Sequence, residues 1–185
     1  MPALPLTQLV SSPTDSMKRI AIISDTHASL LPDTLPYLQG VDLILHAGDI
    51  GSSRVWKELQ AIAPTQAVFG NIDDVQMRSC VPEVYTAEEE GVRILMMHIG
   101  GYPGKYTPQA LELIKTYRPD LFISGHSHIL KVMPDPKRSN LLHINPGALA
   151  LSGWHTVRTI VRLTLSQGSM SHLEVIELPR TPHAY

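Results

Sequence analysis

The chain has 185 residues, 43% of them apolar, with 15 basic against 17 acidic side chains and a formal net charge of −2. That length suits one domain with a sizeable core. The near-neutral balance excludes the global positive field that draws proteins to nucleic acid or an anionic membrane, so an anionic substrate has to be held locally. Cys80 is the single cysteine, which excludes intrachain disulfides and thiolate zinc sites and points to a reducing, cytoplasmic setting. No apolar run approaches the roughly 18 residues needed to span a bilayer.

Residues 1–16 carry three prolines and no lysine, arginine or signal-peptide core, and read as a loose tail. Met17, followed at once by Lys18 and Arg19, reads as the natural start, with a single domain over residues 17–180. The apolar run Arg19 to Ser24 predicts a buried strand that ends at Asp25 and His27. Asp33 to Leu38 predicts a short helix weakened by Pro36, and Leu43 to Gly48 a second strand ending at Asp49. From Ser53 to Ala63, Val55, Trp56, Leu59 and Ile62 recur at helical spacing behind an N-cap at Ser52 or Ser53. Ala67 to Gly70 then ends at Asn71. Between Pro82 and Met97, two extended runs flank Glu88 to Gly91, predicting a hairpin with three glutamates at its solvated tip. Its second run, Arg93 to Met97, ends at His98.

Thr107 can cap a helix with Pro108 in its first turn, Leu111, Ile114 and Tyr117 on its buried face, and Pro119 as its stop. Leu121 to Gly125 ends at His126 and His128. Beyond it come Ile129 to Met133, a turn from Pro134 to Lys137, and Leu141 to Ile144. Two alternating strands follow, roughly Arg158 to Leu165 and His172 to Leu178, joined near Gly168. This order of elements predicts two packed sheets with helices outside.

Five strands thus run into Asp25, His27, Asp49, Asn71, His98, His126 and His128, and in α/β sheets ligands gather at the carboxyl ends of the strands. Asp25 with His27, and His126 with His128, stand two residues apart, so in extended chain each pair projects from one face. Asp49, behind the side-chain-free Gly48, is placed to bind two cations at once, and Gly70 gives Asn71 close backbone access. Either pair alone is commonly no more than a local hydrogen-bonded pair. Donors at five separate strand ends make a metal site the better reading, and imidazole with oxygen donors favours Mn2+, Fe2+, Zn2+ or Ni2+ over Mg2+ or Ca2+.

The order D-x-H, G-D, G-N, H, G-H-x-H resembles the metallophosphoesterase, or calcineurin-like, superfamily. The short length, G-N-x-D and N-P-G resemble its small YfcE-type phosphodiesterase branch, over about Met17 to Leu178. The resemblance implies a four-layer αββα sandwich of two mixed sheets flanked by helices. It implies one metal among Asp25, His27, Asp49 and His128, and a second among Asp49, Asn71, His98 and His126, with Asp49 bridging. Mn2+ comes first among the metals. The implied reaction is in-line attack of a metal-bridging hydroxide on a small organic phosphodiester, with Asp49, Asn71 and His98 as catalytic residues.

The departures from the pattern also carry expectations. Ile72 stands where many relatives have a histidine able to protonate the leaving oxygen, which implies a preference for aryl phosphodiesters over alkyl monoesters. Asp73 or Asp74 is expected to hydrogen-bond the turn that holds Asn71 rather than serve as an acid. The stretch Gly48 to Arg54 lacks the second aspartate of the protein-phosphatase branch, and His98-Ile99-Gly100 lacks a second histidine found in relatives. Gly100, Gly101 and Gly104 with Tyr102 and Lys105 form either a surface loop or a cover for phosphate. Asn145-Pro146-Gly147-Ala148 predicts a turn beside the site from which Asn145 orients a ligand histidine, and His46 reads as a supporting core histidine. His143, His155, His172 and His183 have no motif partner. Two rival readings remain: a non-catalytic protein-binding scaffold of the same fold, as in a retromer subunit, and a phosphomonoesterase or nucleotide hydrolase. Specificity is expected in the loops Gly100 to Tyr106 and Ser152 to Arg158, and the edge strands after Gly125 leave a homo-oligomer open.

Overall fold

The computed structural model describes residues 16–138, 141–153 and 155–180. The expected tail, apart from Ser16, lies outside the described residues, as do His183 and residue 154 of the loop at 152–158. In chain order the strands are β1 (Lys18–Ile23), β2 (Leu43–His46), β3 (Thr65–Ala67), β4 (Val84–Glu89), β5 (Val92–Met97), β6 (Leu121–Ile123), β7 (Leu130–Pro134), β8 (Leu142–Pro146), β9 (Val157–Ser166) and β10 (Ser169–Pro179). The helices are α1 (Leu35–Leu38), entered through a 3-10 turn at Pro32–Thr34, then α2 (Ser53–Ile62), α3 (Val75–Cys80) and α4 (Pro108–Tyr117). Among the described residues no helix is long and apolar enough to cross a membrane.

The strands build two mixed five-stranded sheets, ordered β10-β9-β1-β2-β3 and β4-β5-β6-β8-β7. The layers follow from the period of two. In β1, Ile20 and Ile22 face the second sheet and pack with Leu45, Ile94, Ile123 and Ile144. Ala21 and Ile23 face the other way, against Val55 and Leu59 of α2 and Met77 of α3. On the outer face of the second sheet, Leu95, Met97 and Phe122 meet Ala110 and Ile114 of α4. A strand covered on both faces must be apolar throughout, which is why these runs read as continuous rather than alternating. The result is the predicted αββα sandwich.

β1, β2 and β3 run parallel to one another, as do β5, β6 and β8. Parallel neighbours need crossover connections; α1 lies in that from β1 to β2, α2 in that from β2 to β3, α4 in that from β5 to β6, and β7 in that from β6 to β8. The carboxyl ends of five donor-bearing strands therefore emerge on shared sheet edges.

Two local expectations need correction, and one helix was not anticipated. Leu111 is exposed, and α4 buries Ala110 in its place, beside the expected Ile114; position 111 follows one residue later and is turned about 100° around the axis. Glu88 and Glu89 belong to the ladder, opposite Arg93 and Val92, and only Glu90-Gly91 makes the turn. Both turn residues have positive φ, 49° and 79°, as a two-residue hairpin compatible with strand twist requires. α3 had no apolar periodicity to announce it: its start is set by the Asp74 side chain, which accepts a hydrogen bond from Met77 N.

Candidate metal centre

All seven predicted donors lie at the strand ends, but the backbone of five of them is not extended there. Asp25, His27, Asp49, His126 and His128 have φ of 54°, 46°, 56°, 69° and 57°. The donor pairs therefore converge through left-handed turns and not through strand alternation, which corrects the spacing argument. Aspartate and histidine tolerate this region better than most residues, yet each instance costs on the order of 1 kcal/mol and survives only where the surroundings enforce it. Here they do. Asp25 N donates to Gly48 O at 2.9 Å, His27 N to Asp49 O at 3.1 Å, and Ala150 N to Asp25 O at 2.8 Å. Gly125 N donates to His98 O at 2.9 Å, joining the loops that follow β5 and β6.

Two groups of donor atoms result, each with its members within 4.8 Å of one another: Asp25, His27 and His128, and Asp49, His98 and His126. His128 Nε2 lies 3.2 Å from Asp25 Oδ1. The Asp49 carboxylate stands between the groups, with Oδ2 3.5 Å from His27 Nε2 and Oδ1 3.3 Å from His98 Nε2. Asn71 Oδ1 is 3.2 Å from the same His98 nitrogen, so the amide joins the second group. His98 Nδ1 donates to Ala47 O at 2.7 Å, which fixes the tautomer and leaves the Nε2 lone pair facing Asp49 and Asn71. Gly70 is required at its place, since a Cβ there would lie 1.9 Å from Asp49 Oδ1.

The donor set fits a bound cation on grounds internal to the structure. Asp25 Oδ1 and His27 Nε2 are buried and have no hydrogen-bond partner among the described residues, a condition native interiors rarely leave unsatisfied. Burial opposes ionisation of Asp25, but His128 and His27 beside it hold its carboxyl well below the usual range. Asp49 is likewise lowered, against burial, mainly by His98. Asp25 raises the basicity of His27, and Asp49 and Asp25 raise that of His98 despite its burial. Carboxylates kept ionised beside imidazoles of increased basicity make a field that attracts positive charge.

A profile of the calcineurin-like phosphoesterase superfamily domain matches residues 17–168. The chain belongs to this superfamily. A probable metallophosphoesterase of Methanothermobacter thermautotrophicus is 34% identical over 136 residues, spanning 70% of this chain and 76% of the relative. Among solved structures, Vps29 of Entamoeba histolytica, complexed with Zn2+, is 21% identical with a TM-score of 0.63, covering 86% of this chain and 98% of that one. A novel archaeal phosphodiesterase is 24% identical with a TM-score of 0.63, covering 86% of this chain and 99% of that one. At these identities the two structures establish the shared fold.

In this superfamily member the supporting residues act mostly through backbone. Asp73 accepts from Gly70 N at 2.8 Å, Gly51 N at 2.7 Å and Ile50 N at 3.3 Å, tying the Asn71 turn to the loop behind Asp49. Asp73 thus has the holding role, while Asp74 caps α3. Asn145 Nδ2 donates to Gly125 O at 2.8 Å and to Ser127 Oγ at 3.1 Å, and its Oδ1 accepts from Gly147 N at 3.0 Å. It orients His126 and His128 by clamping their loop and not by touching a ring. His46 Nδ1 accepts from Gly48 N at 3.2 Å, so its Nε2 donates to Thr26 Oγ1 at 3.0 Å, which in turn donates to Ile50 O.

The loop after His98 is pinned rather than free: Thr107 N donates to Gly100 O, and Ser124 Oγ to Gly101 O. Lys131 Nζ lies over its Tyr102 ring, 4.3 Å from the centroid. His155, which had no motif partner in the sequence, packs edge-on against His128 with centroids 5.4 Å apart. No sequence signal marked it, because it reaches the site from an irregular loop.

Proposed function

We propose that the protein is a metal-dependent phosphodiesterase that hydrolyses a small organic phosphodiester with two divalent transition-metal ions, Mn2+ foremost and Ni2+, Fe2+ or Zn2+ as alternatives. The observation that carries this reading is the division of Asp49, one oxygen toward each donor group. Asp25, His27 and His128 would hold one ion, and Asn71, His98 and His126 the other, with Asp49 shared. Bound ions supply Lewis acidity, lowering the pKa of a coordinated water and neutralising charge on the phosphate. In the reaction a water oxygen bonds to phosphorus as the ester P–O bond breaks. The water proton ends on the departing oxygen or in solvent, and the products are a monoester and an alcohol.

The chain's own contributions are positional. The bond from His98 Nδ1 to Ala47 O holds the imidazole in one orientation. Ile72 N donates to Asp49 Oδ1 at 3.1 Å, steadying the shared carboxylate, but the Ile72 side chain has no proton to give. A departing oxygen that is already stable as an anion is therefore favoured, which is the basis for aryl diesters over alkyl monoesters. The Zn2+ bound by the Vps29 relative and the activity named for the archaeal relative accord with this reading. A cytoplasmic setting accords with the free, exposed Cys80.

The test is Mn2+-dependent hydrolysis of bis(p-nitrophenyl) phosphate against alkyl monoesters, with elemental analysis of the loaded protein and Asp49→Asn and His98→Ala as controls. Two ions per chain and diester turnover that both substitutions abolish are expected. A single ion per chain overturns the dinuclear part, and faster alkyl monoester hydrolysis overturns the diester preference. No turnover from folded, loaded protein favours the scaffold reading, which rests on the fold shared with Vps29.

A further inference from the structure

Beside the donors lies a cavity of about 560 Å³ whose wall includes both Asn71 and His98, a size usual for small-molecule sites. Phe69, Met97, Ile99 and Pro108 supply its apolar lining. Two charged residues line it, and both are engaged. Arg78 Nε donates to Asp73 O at 2.8 Å, and its Nη2 to Gly70 O at 3.3 Å and Asn71 O at 3.2 Å. Its guanidinium carbon sits 5.0 Å from the centroid of the Phe69 ring. Glu83 Oε1 accepts from Gln109 Nε2 at 3.2 Å. The cavity therefore continues from the donors into a largely apolar space whose two charged side chains hydrogen-bond to neutral groups.

A second observation concerns the rim. Ile72 directly follows Asn71 and Ile99 directly follows His98, and these side chains are 46% and 44% exposed. Aliphatic groups at the two donors that open on the cavity favour a ligand that covers apolar surface. A larger cavity of about 760 Å³, lined by Arg93, Lys115, Arg118 and Arg138 among others, includes none of the seven donors and offers no such continuity.

We infer that the cavity beside Asn71 and His98 receives one ester group of the phosphodiester substrate, and that this group is apolar, an aryl ester being the fitting case. The inference rests on the phosphodiesterase reading and narrows its substrate class.

The experiment uses Mn2+-loaded protein and two diesters that release the same p-nitrophenolate, phenyl p-nitrophenyl phosphate and methyl p-nitrophenyl phosphate. Their kcat/KM values are divided by their rates of alkaline hydrolysis to remove intrinsic reactivity. The wild type is expected to favour the phenyl ester by at least about tenfold, the scale of discrimination that apolar pockets achieve. Ile99→Ser strips apolar surface and Gln109→Trp fills the space, both at exposed positions. Each should lower the phenyl preference about fivefold or more, mainly through KM. A corrected preference near unity in the wild type, or one unchanged in both variants, overturns the inference while leaving hydrolysis intact. If neither diester is turned over, the hydrolase reading fails and calorimetric binding decides the cavity separately. Diphenyl phosphate binding tighter than dimethyl phosphate, and weakened by Gln109→Trp, supports it; equal affinities overturn it.

Discussion

Replacing Gly70 by alanine tests the metal centre without removing a single donor. The added Cβ would stand 1.9 Å from Asp49 Oδ1 and 2.5 Å from Asp49 N, whereas real Cβ contacts essentially never fall below 3.0 Å. The carboxylate oxygen must retreat by about 1 Å to relieve the contact, and misplacements of that size cost about 10²-fold in catalysis. Rotating the side chain alone does not suffice, because the clash includes the backbone nitrogen. The φ of Gly70 is not in the left-handed region, so alanine adds no dihedral strain of its own, and the effect reports the displacement of Asp49. Mn2+ affinity by calorimetry and bis(p-nitrophenyl) phosphate hydrolysis are both expected to fall about 10²-fold, with far-UV circular dichroism unchanged. Affinity and turnover within about threefold of wild type would refute the claim that the position of the Asp49 carboxylate sets the centre.

Three further outcomes follow from the same structure. Asn145→Ala removes the clamp on Gly125 O and Ser127 Oγ and should reduce Mn2+ affinity or turnover about 10- to 100-fold with every donor present; unchanged kinetics would show that the loop holds its shape unaided. Metal binding should release protons and strengthen as pH rises from about 6 to about 8, because His27 and His98 hold protons more tightly than ordinary imidazoles. Calorimetry in buffers of different ionisation enthalpy reads this directly, and a flat affinity across that range would contradict it.

The last outcome concerns stability. Burial pushes His143 down to about 4, while the unfolded chain takes up the proton near its ordinary value of about 6.5. Stability is therefore lost as pH falls below about 6.5, by about 3 kcal/mol once pH is below about 4. In urea unfolding, His143→Leu should lose less stability than wild type across this window, and parallel profiles would exclude His143 as the source.

Much of the site was legible because the signals were local. The runs before Asp25, Asp49, Asn71, His98 and His126 are apolar through strand length, and the donor types are written in the residues themselves. The readings that failed did so where a distant contact or a single-residue phase decides. Leu111 and Ala110 are equally plausible as the buried position of α4 until Phe122 and Leu95 select the face. Glu88 looks like a turn residue until the register pairs it with Arg93. α3 is short and half polar, and exists because Asp74 caps it and Met77 finds a place in the core.

By itself, the sequence determined the order of the strands and of every helix but α3, the layer architecture that such an order permits, and the nitrogen and oxygen chemistry at the strand ends. Periodicity and donor identity are properties of a few neighbouring residues, so no folding is needed to see them. Only the tertiary structure decided that the ends of two different sheets meet, and that five donors turn inward through left-handed backbone. It alone opened an apolar cavity beside Asn71 and His98. Each of these depends on hydrogen bonds and packing between segments far apart in the chain, whose geometry no local pattern encodes.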